Sequence, residues 1–240
     1  MRPQPTRRLL FAALCLAAAA GCTSSLFHSD AKPEQTYLLR APSPAAPVAT
    51  PPAASATPTA TASPAATASA VPATPAFATL QVAHPMAAPG LDGAHIMLVQ
   101  ADHRMNFYVG SRWPAPLPDV IEALAAETLR ASGEWQSVQD SGSPFPSEYL
   151  LQISVRRFDA DYTAGGTAPE VQVVLDCTLG ARTGRELVAS FVAQGSAAAT
   201  ADRMAEVVAA FERASSAALT SLSQQTAAAT RAFAERHAAR

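Results

Sequence analysis

Hydrophobic and polar residues alternate along much of the C-terminal half of the chain. In residues 149–156 every odd position is apolar, and residues 171–179 repeat the pattern against polar neighbours. Apolar side chains at every second position are typical of a strand with one buried face. A third strand at residues 187–192 follows after a short turn, so the three segments together predict an antiparallel meander.

Shorter apolar stretches predict further strands before the meander. Each is bounded by Pro, Gly or Asp residues, which favour turns. A brief strand is also expected near the N-terminus, just before the composition of the chain changes. The predicted segments are residues 35–40, 77–82, 95–99, 105–109 and 135–138.

Two segments have apolar residues at helical spacing. The first follows the Pro-rich stretch 112–118, has Asp119 in its first turn and ends at Gly133. The second starts at Thr200 as a plausible cap and carries one apolar face as far as Leu222. Beyond Gln225 the chain is Ala-rich and weakly amphipathic, so we expect it to fray. The order of elements predicts an α+β domain, with two helices packed on one face of a mainly antiparallel sheet.

The N-terminus has the organisation of an export signal. Three arginines precede an uncharged apolar run at residues 9–20, which at about 12 residues is too short to span a bilayer. The following Ala19-Ala20-Gly21-Cys22 resembles a bacterial lipobox, so we expect residues 1–21 to be removed and Cys22 to be acylated, with palmitate among the acyl groups. The alternative is an ordinary signal with a chance cysteine. Thr23 follows the cysteine, which by resemblance to known bacterial lipoproteins favours the outer membrane.

The cysteines fit an exported chain. Cys15 leaves with the signal and Cys22 takes lipid, so only Cys177 remains and no intrachain disulfide can form. A lone thiol in an oxidising compartment is expected to be buried. The apolar neighbours of Cys177 also favour an inert core thiol over a nucleophile.

Residues 41–76 consist mostly of Ala, Pro, Thr, Ser and Val, with nine prolines. A segment of this kind cannot bury enough surface to offset its ordering entropy, which predicts a disordered linker. The expected organisation is a signal, a lipidated N-terminus with a short strand, the linker, an α+β domain and an Ala-rich tail. Their bounds are 1–21, 22–40, 41–76, 77–225 and 226–240.

Charge and composition exclude some classes of function. Of the 240 residues, 17 are basic and 19 acidic; without the three arginines of the signal the formal net charge falls to -5. An acidic chain argues against a nucleic-acid partner. The five histidines lack metal-ligand spacing, and the chain has no Gly-x-Ser-x-Gly or Ser-x-x-Lys motif and no phosphate-binding Gly-rich loop. We therefore predict no metal, no cofactor and no catalytic residue.

Two features remain as candidate interaction sites. Arg112 and Trp113 precede the first helix, where Trp113 could anchor a partner or instead staple the helix start onto the sheet. The small-residue apolar stripe of the second helix could pack on the core or form an oligomer interface. Core packing is the default interpretation of the stripe, and a homo-oligomer is the alternative.

An ordered set of short motifs after the lipobox resembles the ABC-type transport auxiliary lipoproteins, the PqiC/YmbA-like family. The resemblance covers the mature chain except the linker and the last fifteen or so residues. The motifs are Tyr37-Leu38-Leu39, Leu80-Gln81-Val82, Pro89-Gly90-Leu91-Asp92, Ile96, Phe107-Tyr108, Arg112-Trp113, Leu151-Gln152-Ile153 through Phe158, and Val207-Val208-Ala209-Ala210-Phe211-Glu212-Arg213-Ala214.

The resemblance implies a non-catalytic lipoprotein on the periplasmic face of the outer membrane. It would assist an MCE-type lipid transport system, with an MCE-domain protein as its partner, and support envelope integrity. One departure from the family is the linker, which separates the Tyr-Leu-Leu strand from the Leu-x-Val strand. If residues 37–40 dock in the sheet, the membrane tether is only about residues 23–35; if they do not, the linker is the tether.

Two other functions stay open at this point. A lipoprotein on a Pro-rich tether could cross the cell wall and activate a peptidoglycan synthase, and the linker is the feature that favours this reading. An envelope hydrolase is the third possibility, but the sequence lacks the constellation of residues that a catalytic site requires.

Overall fold

The computed structural model describes residues 33–42 and 77–239, and residues 35–239 of these belong to one compact unit. Nine strands and two α-helices make up its regular structure, together with one 3₁₀ turn. In chain order they are β1 Gln35–Thr36, β2 Phe77–Val82, β3 Met86–Ala87, β4 His95–Val99, β5 Met105–Arg112, α1 Leu117–Ala131, β6 Trp135–Gln139, β7 Tyr149–Asp161, β8 Glu170–Ala181, the 3₁₀ turn Thr183–Arg185, β9 Glu186–Ala198 and α2 Met204–Ala238.

The long strand β7 organises the sheet. One of its edges pairs antiparallel with β8 along its full length, and β8 pairs antiparallel with β9. The other edge receives β2, β3 and β4 one after another, all parallel to β7. Outside these, β6 lies parallel to β2, β5 antiparallel to β4, and β1 parallel to β5.

The α+β prediction is confirmed, with both helices on one face of the sheet. The predicted meander is β7, β8 and β9, in which alternate residues of β7 and β8 are buried beneath the helices. The sheet as a whole is mixed, because three short strands run in the same direction along the second edge of β7. Leu151, Ile153, Leu175 and Cys177 of the two central strands are each at most 2% exposed.

Helix α1 has the ends that the sequence indicates. Pro116 precedes the first turn and Asp119 lies within it. Gly133 follows the helix with φ of +67°, a left-handed conformation that glycine adopts without steric cost. The apolar face of α1 packs on β2, β3 and β6, and the helix also contacts α2.

Helix α2 is longer than the sequence indicates. The prediction that the chain frays beyond Gln225 is wrong, because the helix continues to Ala238. Thr226, Thr230 and Phe233 remain buried, and the two threonine hydroxyls donate to backbone carbonyl oxygens one turn earlier. No helix in the described part of the chain is both long enough and apolar enough to cross a membrane.

The short strand β1 joins the sheet at the end of β5. Gln35 and Thr36 pair with Ser111 and Arg112, and the Tyr37 N–H donates to the Arg112 carbonyl oxygen at 2.9 Å. Tyr37, Leu39 and Ala41 pack against the core. The N-terminal segment therefore docks in the sheet, although its regular strand is shorter than the predicted residues 35–40.

The docking of β1 changes the place of the Pro-rich segment in the domain. Ala41 and Phe77 both pack against the same core, so the chain leaves and re-enters one folded unit. Residues 43–76 are therefore an insertion within the domain. The predicted signal, Cys22 and the predicted disorder of the linker lie outside the described residues.

Candidate docking surface

The structure separates Trp113 from Arg112, the two residues singled out as a partner-binding pair. Trp113 is 0% exposed and packs edge-on against Phe158 and Phe211, with ring centroids 5.8 Å and 5.3 Å away. The backbone N–H of Trp113 donates to the Ala94 carbonyl oxygen at 2.8 Å. The interpretation of Trp113 as a surface anchor is therefore corrected: the ring joins the end of β5 to β7 and α2.

Arg112 is the exposed last residue of β5. It lies beside Thr36 of β1, and its Nε donates to the Trp113 carbonyl oxygen at 3.4 Å. Neighbouring residues of an extended chain point to opposite sides, so Arg112 faces outward where Trp113 faces inward. Its role in partner binding stays a prediction.

Three apolar residues stand exposed on β5 just before Arg112. Met105, Phe107 and Val109 are 50%, 41% and 88% exposed. Tyr108 between them is part-buried, and its hydroxyl is 2.9 Å from that of Tyr162. We call Met105, Phe107 and Val109 the β5 apolar row.

The sequence predicts the strand but not the exposure of this row. Alternating apolar residues at 105, 107 and 109 indicate a half-buried strand, and the apolar side is then assumed to face the core. In the structure Phe107 is covered on one side by the His95 ring, with centroids 4.5 Å apart, and otherwise faces solvent. Three exposed apolar side chains on one strand make this row a candidate interaction surface.

The outer edge of β5 offers little free backbone to a further strand, because β1 already pairs with residues 111 and 112. The Phe107 N–H is taken by the Asn106 side-chain oxygen at 2.9 Å. Between the pairs His95–Arg112 and Met97–Phe107 the register shifts, so residues 108–111 bulge opposite the single residue Ile96. Gly110 makes this bulge with φ of +72°. Bulges and capped donors are devices that protect a sheet edge from edge-to-edge pairing.

Two ionisable groups with shifted pKa values, the Cys177 thiol and the Arg157 guanidinium, lie on the central strands β8 and β7. Burial raises the pKa of the Cys177 thiol to about 12, so the thiol is protonated at neutral pH. The Arg157 guanidinium donates to Asp159 at 2.7 Å and to Asp161 at 2.8 Å, and these carboxylates raise the pKa of Arg157. The Cys177 thiol is therefore kept neutral, and the Arg157 charge is balanced by two carboxylates.

A polar contact joins two loops to helix α1. His84, between β2 and β3, lies with Nδ1 3.0 Å from Glu122 Oε2, and the Ser141 N–H donates to Glu122 Oε1 at 2.7 Å. Burial opposes the charge of Glu122, but the hydrogen bonds from Ser141 and His84 outweigh burial and lower the pKa of the carboxyl. Within residues 33–42 and 77–239, no three His, Cys, Asp or Glu side chains group as a metal ion would require.

Comparisons with known proteins agree with the expected family and with the fold. Residues 60–227 match the family model for the ABC-type transport auxiliary lipoprotein component. The chain is similar to XCC0632 from Xanthomonas campestris, of the family DUF330, with 28% identity over 68% of this chain and 92% of that one and a TM-score of 0.62. A second solved structure, of an uncharacterized protein, shares the fold at 14% identity and a TM-score of 0.52, over 63% of this chain and 98% of that one.

The search of curated proteins gave no match. The family model nevertheless covers well over half of the chain. The matched residues include β2 to β9, the whole of α1, and α2 as far as residue 227. The chain therefore belongs to the family of ABC-type transport auxiliary lipoprotein components.

Proposed function

We propose that the protein is a non-catalytic lipoprotein subunit of an MCE-type, ABC-linked lipid transport system that supports envelope integrity. Acylated Cys22 anchors it in the outer membrane, and the α+β domain faces the periplasm and docks on the MCE-domain conduit. The observation that carries the proposal is the pairing of Gln35–Thr36 with β5, because it fixes where the tether ends.

The tether between the anchor and the domain is short. Twelve residues separate Cys22 from Gln35, and a chain of this length reaches at most about 45 Å when fully extended. An acylated chain is held durably when it carries more than one acyl group. The domain therefore stays next to its membrane, where a subunit that receives the end of a lipid conduit has to be.

The short tether weakens the alternative of a synthase-activating module. That function needs a tether that crosses the cell wall, and the Pro-rich linker was the segment that could supply it. Because Ala41 and Phe77 pack on one core, residues 43–76 add no length between Cys22 and the domain. The transport function needs no such reach.

Cys177 and Arg157 are both held by contacts within the fold. Cys177 is 2% exposed and protonated at neutral pH, so it has neither the access nor the charge of a nucleophile. Arg157 is neutralised by two carboxylates of its own strand. A subunit that acts by docking requires no activated group of this kind.

Crosslinking in intact cells followed by affinity purification tests the proposed partner. The tagged wild-type chain should recover an MCE-domain protein, and a chain with Cys22→Ser should recover much less of it because it is no longer held at the membrane. Cys15→Ser is the matched control, since residue 15 leaves with the signal. Recovery of a peptidoglycan synthase without an MCE-domain protein would overturn the proposal.

Membrane fractionation tests the anchor and its location. Mass spectrometry of the mature N-terminal peptide should find acyl groups on Cys22, and the protein should fractionate with the outer membrane. Thr23→Asp should shift it towards the inner membrane, while Thr23→Ser should leave it in place. An unmodified Cys22, or a wild-type protein in the inner membrane, contradicts this part of the proposal.

A further inference from the structure

We propose that the β5 apolar row, Met105, Phe107 and Val109, is the surface on which the domain rests against the phospholipid leaflet that holds its anchor. The occupant of this surface is a bilayer interface, into which the three side chains partition. The inference rests on the Cys22 anchor of the proposed function and adds the orientation of the domain on the membrane.

The first argument is the exposure of the row. Val109 is 88% exposed within the β5 bulge, and Met105 and Phe107 are about half exposed. Transfer of exposed apolar side chains from water to the boundary between headgroups and acyl chains lowers the free energy. Leu38, two residues after β1, is a further exposed apolar residue at 69%.

The second argument is the point where the chain outside the described residues enters the domain. The tether ends at β1, which pairs with Ser111 and Arg112, directly after the apolar row. Twelve residues lead from that point back to Cys22. The row is thus the exposed apolar surface next to the anchor along the sheet, and a surface at the far edge, such as that around Phe145, would require the tether to run round the domain.

The third argument excludes a strand as the occupant. A partner that adds a strand needs free N–H and carbonyl groups along a straight edge. Here Asn106 caps the Phe107 N–H, the bulge at residues 108–111 interrupts the ladder, and β1 already occupies residues 111 and 112. The side chains of the row are exposed, whereas the backbone edge is partly closed. A lipid surface forms no backbone hydrogen bonds with the strand, so the closed edge does not hinder it.

The charges near the row predict how its membrane binding depends on salt and on anionic lipid. Arg104, directly before Met105, is paired with Asp102 at 2.6 Å, so the tip of the β4–β5 hairpin carries an internally neutralised pair. Binding should therefore depend on apolar partition rather than on anionic headgroups. We expect little change with salt or with the phosphatidylglycerol content of the membrane.

Vesicle partition of the full chain carrying Cys22→Ser tests the surface without the anchor. This chain should bind vesicles of phosphatidylethanolamine and phosphatidylglycerol, and Phe107→Ser with Val109→Ser should lower the partition coefficient at least about tenfold. Phe145→Ser is the matched control, because Phe145 is 70% exposed on the loop between β6 and β7, and its effect should stay within about twofold.

Equal partition of the double variant and the control would overturn the inference, as would binding that disappears at high salt. A dimer of the chain in sedimentation velocity that the double variant abolishes would assign the row to a second copy and also overturn it. These outcomes leave the proposed transport function intact, which fails separately if Cys22 is not acylated or no MCE-domain partner is recovered.

A probe on the acylated protein gives an independent readout. A polarity-sensitive fluorophore on Val109→Cys should shift to the blue on vesicles and be quenched by brominated lipid, whereas the same probe on Phe145→Cys should remain in water. Cys177 does not compete for the label because it is buried. A probe at residue 109 that stays in water would overturn the inference even if partition were altered.

Discussion

Gly195 of β9 lies directly against the backbone of α2 at Ala214. A Cβ atom at residue 195 would overlap the Ala214 carbonyl oxygen, and it would also lie 2.8 Å from the Ala218 nitrogen. The helix can approach the strand this closely because residue 195 has no side chain. The close approach also lets the Gln225 side chain of the helix donate to the Val192 carbonyl oxygen of β9 at 3.1 Å. Among the described residues β9 pairs with no strand other than β8, so the helix supplies this further hydrogen bond.

Gly195→Ala should therefore lower the free energy of unfolding by about 2–3 kcal/mol, because neither backbone can move without breaking its own hydrogen bonds. Urea denaturation of the full chain measures the difference. Gly180→Ala is the matched control, since a Cβ there would meet its nearest heavy atom at 3.7 Å. Equal stability of the two variants would mean that the helix and strand are not in contact at Gly195.

Trp113 offers a test of core packing against partner anchoring. Trp113→Ala should destabilise the domain by about 3–5 kcal/mol, because it removes the ring that contacts both Phe158 and Phe211. Arg112→Ala, next to it but exposed, should change stability by less than about 0.5 kcal/mol. A Trp113→Ala protein of wild-type stability that loses its partner would restore the anchor interpretation.

Local patterning predicted most strands and the start of α1, since each depends on neighbours within a few residues. The start of α2 was misplaced: the helix begins at Met204, four residues after the predicted cap Thr200. The alternation in β7 and β8 indicated their buried faces, and Gly133 indicated the end of α1. Sequence could not give the direction of β2, β3 and β4 along β7, because these pairings join residues about 60 or more positions apart. Short strands carry too few residues to specify their partners.

The predictions that the structure corrects failed for physical reasons. Arg112 and Trp113 were grouped because they are adjacent in sequence, whereas an extended chain sends adjacent side chains to opposite sides. The β5 apolar row has the alternation of a core-facing strand, and only the structure shows that nothing described covers it. The tail after Gln225 was expected to fray because its many alanines bury little apolar surface. In the structure one large side chain, Phe233, is buried there.

Phe233 should hold the last turns of α2 on the sheet. It is 8% exposed, and its ring packs edge-on to Tyr149 at 6.5 Å. Phe233→Ala should cost about 2–3 kcal/mol of stability and increase amide exchange in residues 226–238. Glu235→Ala is the control, because Glu235 is exposed, and it should change neither stability nor amide exchange. If Phe233→Ala also changed neither, the fraying expected from the sequence would be supported.

Cys177 should be inert in the folded protein. Its thiol is buried with a pKa raised to about 12, so a reagent that needs the thiolate can react only when the chain opens. Reaction with a chromogenic disulfide should be slow in buffer and should accelerate with urea in parallel with unfolding. A cysteine placed at the exposed Phe145 should react at once in the same chain, and comparable rates for the two sites would show that Cys177 is accessible.

The Glu122 contact predicts how stability depends on pH. The folded state lowers the pKa of Glu122 below its ordinary value of 4.5 through the hydrogen bonds from Ser141 and His84, against the opposing effect of burial. A carboxyl with a lowered pKa stabilises the fold fully at pH above its unfolded value, and this stabilisation is lost as pH falls through the folded value. Glu122→Gln should therefore cost about 1–2 kcal/mol at pH 7, and the difference from wild type should shrink below about pH 4.5.

Urea denaturation of both proteins between pH 7 and pH 3 measures this difference. Glu127→Gln is the matched control, because Glu127 is on the same helix but exposed, and its effect should be near zero at every pH. A Glu122→Gln deficit that is constant across the range would mean that the lost free energy comes from packing and not from the charge. Since Glu122 ties the loops of His84 and Ser141 to α1, loss of its charge should also increase amide exchange in both loops at pH 7.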